Sequence, residues 1–422
     1  MDAKSASAWV MFLLFLMMLC PPVGRGFADF PAELGLLVNA AEEQVMSSKG
    51  PRLSNARLLD IREDREEQTE ARPEIHYNRV DGLFVQLGVD TKLRSPSKLR
   101  LFAWCGYAFK GEAWRYEIGL EKWLDLGPNR LEVGVRNYDL TFTEDEWLMS
   151  TYENSAAAFF FREDFRDYYR RTGTSFHLTN TLYRQLSLGI TYLLDDHESL
   201  QRTTNWSVFG GDKKFRENPE ADEGALRSVA VRMGYDTRDD FMEPTSGFLI
   251  EASFEKAGDA IGGKYDFRRF LLDFRRYVRL SAFENIDLRL RLGTGSGNLP
   301  VQRAFDLGGI GSLRGYKFKE LRDFDRMILG NVEYRIQFGR LAPDVMEDYQ
   351  IIPFYDFGLA WSSNDKGSLS AGFDQLKWDG IKTSVGIGIS IGASDGLRVN
   401  LARRLDDRDR AMVVTARIKR IF

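Results

Sequence analysis

Apolar and charged residues alternate strictly along one stretch in the second half of the chain, and apolar and polar residues alternate again along a second. The first, 286–292, reads Ile-Asp-Leu-Arg-Leu-Arg-Leu, and the second, 328–338, places Asn331, Glu333 and Arg335 on one face. A period of two predicts β-strands, because successive side chains of a strand point to opposite faces. A strand with one apolar and one fully ionic face is typical of a transmembrane barrel, apolar toward lipid and polar toward the lumen.

The same period recurs on both sides of a glycine-rich loop at 293–326. Predicted strands lie at about 83–89, 98–109, 114–123, 130–140, 174–183, 186–194, 225–238, 248–254, 265–280 and 284–293 before the loop, and at 327–339, 349–361, 381–392, 396–405 and 411–422 after it. A single-chain outer-membrane barrel has an even number of strands, so one more is expected. Trp206–Phe209 is the candidate, which gives 16 strands with 14 as the alternative, and the five strands behind the loop make the loop extracellular.

Two segments break the strand pattern. Residues 29–75 combine apolar residues near helical spacing with a charge-rich stretch, which predicts a short periplasmic helix followed by a solvated linker. Residues 141–172 have a helical composition and are interpreted as a plug or cap at one barrel mouth. Their acidic and aromatic residues also suggest a catalytic pair or a cation site, but no third polar group completes a mechanism.

A family resemblance rests on Leu307-Gly308-Gly309 followed by Leu313-Arg314-Gly315-Tyr316. This stretch resembles the lumenal-loop motif of BamA/TamA-type outer-membrane assembly factors, the bacterial surface antigen family. Further segments similar to that family follow the same order and are 235–239 with 244–247, 331–335 and 354–358. The resemblance covers roughly 76–422, the predicted barrel, and is most specific from about 225 onward.

The resemblance implies that the loop folds back into the lumen and that Arg314 meets Glu333 and Asp356 on the next two strands. The alternation independently turns both carboxylates toward the lumen, and a guanidinium can bind a carboxylate through two hydrogen bonds. The loop motif itself consists of Gly308, Gly309, Leu313, Gly315 and Tyr316. The alternative is that Arg314 is solvated and that the two carboxylates pair with neighbours such as Arg335.

The resemblance also implies a function, the insertion or translocation of client proteins at the outer membrane through a weakly paired seam between the first and last strands. Members of the family carry periplasmic polypeptide-binding modules that are too long for residues 29–75, so we expect a barrel-only relative. A periplasmic partner that binds 29–75 is a further expectation. The alternative function is a passive pore or a structural barrel.

Both ends of the chain indicate export to the outer membrane of a Gram-negative cell. Lys4 precedes an apolar run at 8–20, and Gly26-Phe27-Ala28 offers a cleavage site, so residues 1–28 are predicted to be a signal peptide. An acylated Cys20 is the poorer alternative. The final Phe422 ends an alternating segment and resembles the sorting signal of outer-membrane barrels.

Composition narrows the possible partners and chemistry. The net charge of −4 argues against a nucleic-acid partner, and the 13% of aromatic residues suits girdles at the two interfaces with outer-membrane lipid. His76, His177 and His197 lack metal-ligand spacing. Gly293–Gly297 lacks the lysine of a phosphate-binding loop. The sequence therefore predicts no enzyme activity, no cofactor and no metal.

Overall fold

The computed structural model describes residues 70–93, 99–241, 243–258, 262–338, 349–374, 380–391, 396–407 and 409–418. The predicted signal peptide, nearly all of the segment 29–75 and the terminal Phe422 lie outside these described residues, so the expectations for them remain predictions.

Sixteen strands form one antiparallel sheet in which neighbours in sequence are neighbours in space. They are β1 (Glu70–Asn78), β2 (Gly82–Leu93), β3 (Leu99–Ala108), β4 (Ala113–Leu126), β5 (Asn129–Phe142), β6 (Tyr169–Leu182), β7 (Leu186–Ser199), β8 (Gly224–Asp236), β9 (Gly247–Ala257), β10 (Phe267–Arg279), β11 (Glu284–Gly297), β14 (Arg326–Gln337), β15 (Tyr349–Trp361), β16 (Lys382–Ile391), β17 (Leu397–Arg404) and β18 (Val413–Arg417). Two short strands, β12 (Phe305–Leu307) and β13 (Leu321–Phe324), pair with each other between β11 and β14.

Burial in this sheet is the reverse of that in a soluble protein. Along β11 the charged Asp287, Arg289 and Arg291 are buried, whereas the apolar residues between them are partly exposed. On β2 the apolar Leu83 and Leu87 are 40% and 61% exposed. Apolar side chains outside and ionic side chains inside are what lipid around a polar lumen requires. The predicted all-β transmembrane barrel of about 16 strands is confirmed.

The strand that the sequence pattern missed lies at the beginning of the barrel. β1 begins at Glu70, inside the segment interpreted as linker, and residues 206–209 are not a strand. β1 contains Pro73 and several charged residues, so its sequence resembles that of a linker. Proline removes a backbone donor and is tolerated on an end strand, where one side of the backbone has no sheet partner. The count of 16 holds with β1 as the eleventh strand before the loop.

The connections differ in length at the two ends of the sheet. One end carries short turns such as 127–128, 183–185 and 280–283, and the other carries the long connections 143–168, 200–223, 298–325 and 362–381. Outer-membrane barrels have short periplasmic turns and longer extracellular loops, so the long connections lie on the extracellular side. The loop is shorter than the predicted range 293–326, because β11 continues to Gly297 and β14 begins at Arg326.

The connection 143–168 contains a short 3-10 turn, Asp145–Trp147, and a helix, α1 (Thr151–Phe161). α1 begins at a capping box in which the Ser150 side chain accepts from the Glu153 backbone, while the Glu153 carboxylate accepts from the Ser150 backbone. Among the described residues, no helix has the length and the apolar character needed to cross a membrane.

The first and last strands of the sheet remain separate. Across residues 70–78 and 413–417, no backbone ladder joins β1 to β18, although every other pair of neighbouring strands is hydrogen-bonded. We call the boundary between β1 and β18 the seam.

Candidate functional site

The extracellular connection 298–325, which we call the central loop, folds onto lumenal side chains. Leu307, Leu313 and Tyr316 are at most 1% exposed and belong to a cluster completed by Leu271, Phe305, Met327 and Leu329. The backbone turns sharply at Gly308 and Gly309, where φ is +116° and +96°. A Cβ at Gly308 would lie 2.4 Å from the Lys317 carbonyl oxygen, so only glycine permits this path.

Arg314 is the polar anchor of the central loop. Its Nε donates to Asp356 Oδ2 at 2.9 Å, its Nη2 to Asp356 Oδ1 at 2.5 Å, and its Nη1 to Glu333 Oε1 at 2.5 Å. The Arg314 backbone N–H also donates to Asp356 Oδ2 at 3.1 Å. The guanidinium lies 3.5 Å from the ring centroid of Phe354, within cation–π range. Every face of this side chain is therefore occupied, and it is only 1% exposed.

Glu333 accepts hydrogen bonds from three guanidinium groups at once. Besides Arg314, Arg398 on β17 donates to both of its oxygens at 2.8 and 2.9 Å, and Arg335 donates to Oε2 at 2.9 Å. Arg335 also donates to Asp287 on β11 at 2.5 Å. The central loop and strands β11, β14, β15 and β17 thus share one buried ion cluster. Its charges balance, with Arg314, Arg335 and Arg398 against Asp287, Glu333 and Asp356.

Asp356 has further polar partners that fix its orientation. The Asn331 amide donates to Asp356 Oδ1 at 2.8 Å and to the backbone carbonyl of Ser312 at 2.9 Å. The Ser384 hydroxyl donates to Asp356 Oδ2 at 3.2 Å. Asn331 therefore ties strand β14 to the central loop independently of Arg314. A carboxylate with this many donors is held in place and is not available as a mobile base.

The tip of the central loop reaches β16 and β17. A Cβ at Gly315 would lie 2.7 Å from Ser384 Cβ and 2.9 Å from the backbone nitrogen of Arg404, so a larger residue would push the loop away. The Tyr316 hydroxyl donates to Asp406 Oδ1 at 2.7 Å, and the Arg404 guanidinium lies 4.1 Å from the Tyr316 ring centroid. The motif residues are thus contact points with the barrel wall.

The structure brings Arg314, Glu333 and Asp356 together. Arg314 is buried, so the solvated alternative does not describe it. The other half of that alternative is present, because Arg335 does pair with Glu333. Arg398 is a member of the cluster that the sequence pattern did not identify, although its alternation with Val399 puts it on the lumenal face. The missing information was spatial, since β17 is not adjacent to β14 in the sheet.

Lys319 is a second anchor that the sequence did not reveal. Its ammonium lies 2.9 Å from a carboxylate oxygen of each of Asp145, Asp167 and Asp306. Burial disfavours the Lys319 charge, but the three carboxylates raise its pKa above the ordinary value. Asp145 and Asp167 belong to connection 143–168, so Lys319 joins that connection to the central loop. The acidic residues there serve as partners of cations.

One group of residues has the spacing of a metal site. Ligand atoms of Glu121, Glu132 and His177 lie within 4.8 Å of one another. Both oxygens of Glu121 already accept hydrogen bonds, from Arg100 at 2.8 Å and from Arg136 at 2.5 Å. Glu132 accepts from the Trp123 indole and lies 3.1 Å from His177 Nε2. With two guanidiniums on one carboxylate, this group fits an ionic cluster of the barrel wall better than a cation site.

The chain matches one protein family in sequence and resembles solved structures in fold. Residues 127–411 match the model of the Omp85 superfamily domain. The chain is 30% identical over 270 residues to the outer membrane protein assembly factor BamA of Nitratidesulfovibrio vulgaris, a match that covers 60% of this chain and only 30% of that protein. The crystal structure of Haemophilus ducreyi BamA lacking POTRA domains 1–3 aligns with a TM-score of 0.52 at 13% identity, covering 83% of this chain and 70% of that one.

Proposed function

Because this chain belongs to the Omp85 superfamily, we propose that it helps other proteins to insert into or cross the outer membrane. It is an outer-membrane barrel. Its relative in N. vulgaris is named an outer membrane protein assembly factor. The chain spans about 30% of the length of that relative, so the transfer of this role is our proposal and concerns the barrel.

The observation that carries the proposal is the seam. A strand edge in lipid leaves backbone N–H and C=O groups without water, which costs several kcal/mol for each unsatisfied group, so ordinary barrels close completely. In the described residues β1 and β18 do not pair. An edge without a strand partner suits a protein that exchanges backbone hydrogen bonds with a client strand.

The packing of the lumen argues against the passive pore. Arg314, Glu333, Asp356, Arg398 and Asn400 are each at most 1% exposed, and Arg314 brings the central loop onto this group. A conducting pore needs a solvated lumen lined by polar side chains. Side chains that neutralise one another and exclude solvent are better suited to holding a loop.

The proposed partners are outer-membrane lipid and client polypeptides, either outer-membrane or secreted proteins. The lipid partner follows from the exposed apolar belt, which includes Ile118 at 54% and Ile190 at 50%. The client partner rests on the seam. A periplasmic protein that binds within 29–75 remains part of the proposal.

The experiment is the folding of a urea-denatured outer-membrane barrel into phospholipid vesicles that contain this protein. Heat-modifiable gel mobility follows the folded fraction with time. We expect faster folding than in empty vesicles or in vesicles with the same amount of an unrelated porin. Equal rates in all three, together with a steady conductance that the client does not alter, would establish the passive pore instead.

A further inference from the structure

Helix α1 lies at the seam and bonds to both strands that border it. The Glu153 carboxylate accepts from the backbone N–H of Ile418, which directly follows β18, at 2.8 Å. Two residues along the helix, the Ser155 hydroxyl accepts from the backbone N–H of Tyr77 on β1 at 3.2 Å. One turn of α1 therefore accepts a backbone hydrogen bond from each side of the seam.

The two strands present opposite faces to this helix. Arg417 pairs in the ladder with Arg398, which points into the lumen, and Arg417 lies 3.4 Å from Glu153. Tyr77 pairs with Leu83, which is 40% exposed on the lipid side. Residues directly opposite in an antiparallel ladder point to the same face, so Tyr77 belongs to the outer surface. α1 thus contacts the inner surface beside β18 and the outer surface of β1.

Aromatic side chains pack at the contact between α1 and the outer surface of β1. Tyr77 is only 7% exposed because Ala158, Phe159 and Phe215 cover it. Its ring meets Phe159 and Trp206 edge to face, with centroids 5.6 and 6.0 Å apart. The Tyr77 hydroxyl donates to the Trp206 carbonyl at 2.8 Å. β1 therefore meets α1 and the connection 200–223 where a neighbouring strand would otherwise lie.

The width of a helix prevents β1 and β18 from pairing where α1 lies between them. Neighbouring strands lie about 4.8 Å apart, whereas a helix with its side chains is roughly 10 Å across. With α1 bonded to Tyr77 and Ile418, these two positions cannot bond to each other or to a third strand. The Tyr77 N–H is also a donor that an added strand would need at this edge.

We propose that α1 is a wedge in the seam, held by Glu153 and Ser155. It must withdraw before a client β-strand can pair with β1 at Tyr77. The pairing of a client strand with β1 rests on the proposed function, whereas the position of α1 in the seam does not. The occupant that replaces α1 is an extended polypeptide, whose backbone carbonyls can accept from the two N–H groups that α1 now satisfies, those of Tyr77 and Ile418.

The first test measures the wedge without any client. Glu153→Gln removes the charge that faces Arg417, and Ser155→Ala removes the acceptor for Tyr77. Hydrogen–deuterium exchange in lipid nanodiscs should show peptides that contain Tyr77 and Ile418 exchanging roughly tenfold faster in the double variant, as the loss of a charge-assisted hydrogen bond predicts. Exchange in the β7–β8 ladder should not change.

Glu163→Gln is the matched control. Glu163 lies in the same connection and pairs with Lys213 of connection 200–223 instead of with a residue of either end strand. It should leave exchange at Tyr77 and Ile418 as in the unmodified protein. Unchanged exchange in the Glu153→Gln, Ser155→Ala variant, or the same increase in the control, would overturn the wedge.

The second test locks α1 in place. Cysteines introduced at Ser155 and Tyr77 in a Cys105→Ser background are joined by a short thiol crosslinker, and a cleavable crosslinker allows release in the same sample. The crosslinked protein should not accelerate client folding, and cleavage should restore the rate. Full acceleration by the crosslinked protein would contradict withdrawal.

The two proposals fail in different ways. If the unmodified protein does not accelerate folding but exchange at the seam responds to Glu153→Gln, the proposed function fails and the wedge stands. If the protein accelerates folding but neither exchange nor crosslinking has an effect, the function stands and the wedge is wrong.

Discussion

At the scale of single residues, the lumen places charges where a soluble protein places its apolar core. Glu333 and Asp356 are fully buried, and each accepts several charge-assisted hydrogen bonds. Transfer of an ion from water into a protein interior costs several kcal/mol, which only a complete set of partners offsets. The cluster is therefore sensitive to the loss of any one member, since the others then remain buried without a counter-charge.

Arg314→Ala should release the central loop and destabilise the barrel by about 3–5 kcal/mol, because it leaves Asp356 and Glu333 short of a partner. Arg314→Lys should rescue little of this, since one ammonium cannot reproduce the fork that contacts both carboxylates. Limited proteolysis of the loop and urea titration in vesicles measure the two effects.

The control for this prediction is Arg322→Ala in the same loop. Arg322 is exposed and is one of several cations around Asp167, so its loss should cost no more than about 1 kcal/mol. A loop that stays protease-resistant in Arg314→Ala, or becomes equally sensitive in Arg322→Ala, would refute the anchoring role of Arg314.

The sequence predicted part of this cluster because strand parity is a local property. The alternation around Glu333 and Asp356 fixes the face of each side chain without any knowledge of the fold. Arg398 and Lys319 are different. Arg398 contacts a strand that is 65 residues away and not adjacent in the sheet, and Lys319 meets residues more than 150 positions earlier. No short-range pattern encodes such contacts.

At the scale of elements, α1 shows that a helix can be recognised long before its position is understood. The alanines and the capping box at Ser150 and Glu153 mark a helix and its start. The same Glu153 caps the helix and accepts from the end of β18, so one side chain sets both the start and the position of α1. The sequence pattern locates α1 only at a barrel mouth, whereas the structure shows it at the seam.

Acid should loosen α1, in a pH range set by Glu153. Burial would raise the pKa of Glu153, but the Arg417 guanidinium and backbone hydrogen bonds from Ile418 and Ser150 lower it below its ordinary value of 4.5. A lowered folded-state pKa means that the stabilisation is present above 4.5 and is lost as the pH falls through the lowered value. Conductance across planar bilayers should therefore be constant from neutral pH to 4.5 and rise below it.

Glu153→Gln is the comparison for this pH effect. It should show a raised conductance at neutral pH and lack the acid-induced increment of the unmodified protein, because the titrating group has been removed. An identical acid response in both proteins would assign the effect to other lumenal carboxylates.

β1 is the element that the sequence pattern concealed. Its length and position are ordinary, but Pro73 and the charges of Glu70, Arg72 and Glu74 resemble the linker before it. An inner strand that carries a proline loses a ladder bond, and among the described residues the register of β14 with β15 gives Pro353 no partner. The feature that hid β1 is thus related to its role as an end strand.

At the scale of the whole molecule, the alternation of apolar and ionic residues determines which solvent each surface meets. The family resemblance and the barrel class could be predicted from sequence because this alternation is repeated in strand after strand and the loop motif is long. They are confirmed by the family match and by the sheet. The connections were harder to predict, since their contacts arise only after the sheet has brought them together.

The depth of each outer residue should set the cost of placing a charge there. Leu120 and Leu126 lie on the same face of β4, one near the middle of the strand and one at its periplasmic end, and both are exposed. Leu120→Arg should destabilise the barrel by about 2–4 kcal/mol and Leu126→Arg by about 0–1 kcal/mol. Urea titration in phospholipid vesicles gives both values, and equal costs would contradict the assigned membrane position.

The ion cluster around Glu333 also sets an order for the assembly of the sheet. Glu333 belongs to β14, but Arg398, which occupies both of its oxygens, belongs to the last-but-one strand of the barrel. Until β17 has joined the sheet, this carboxylate has an incomplete set of cations. The central loop can therefore reach its final contacts only after the strands that follow it have folded.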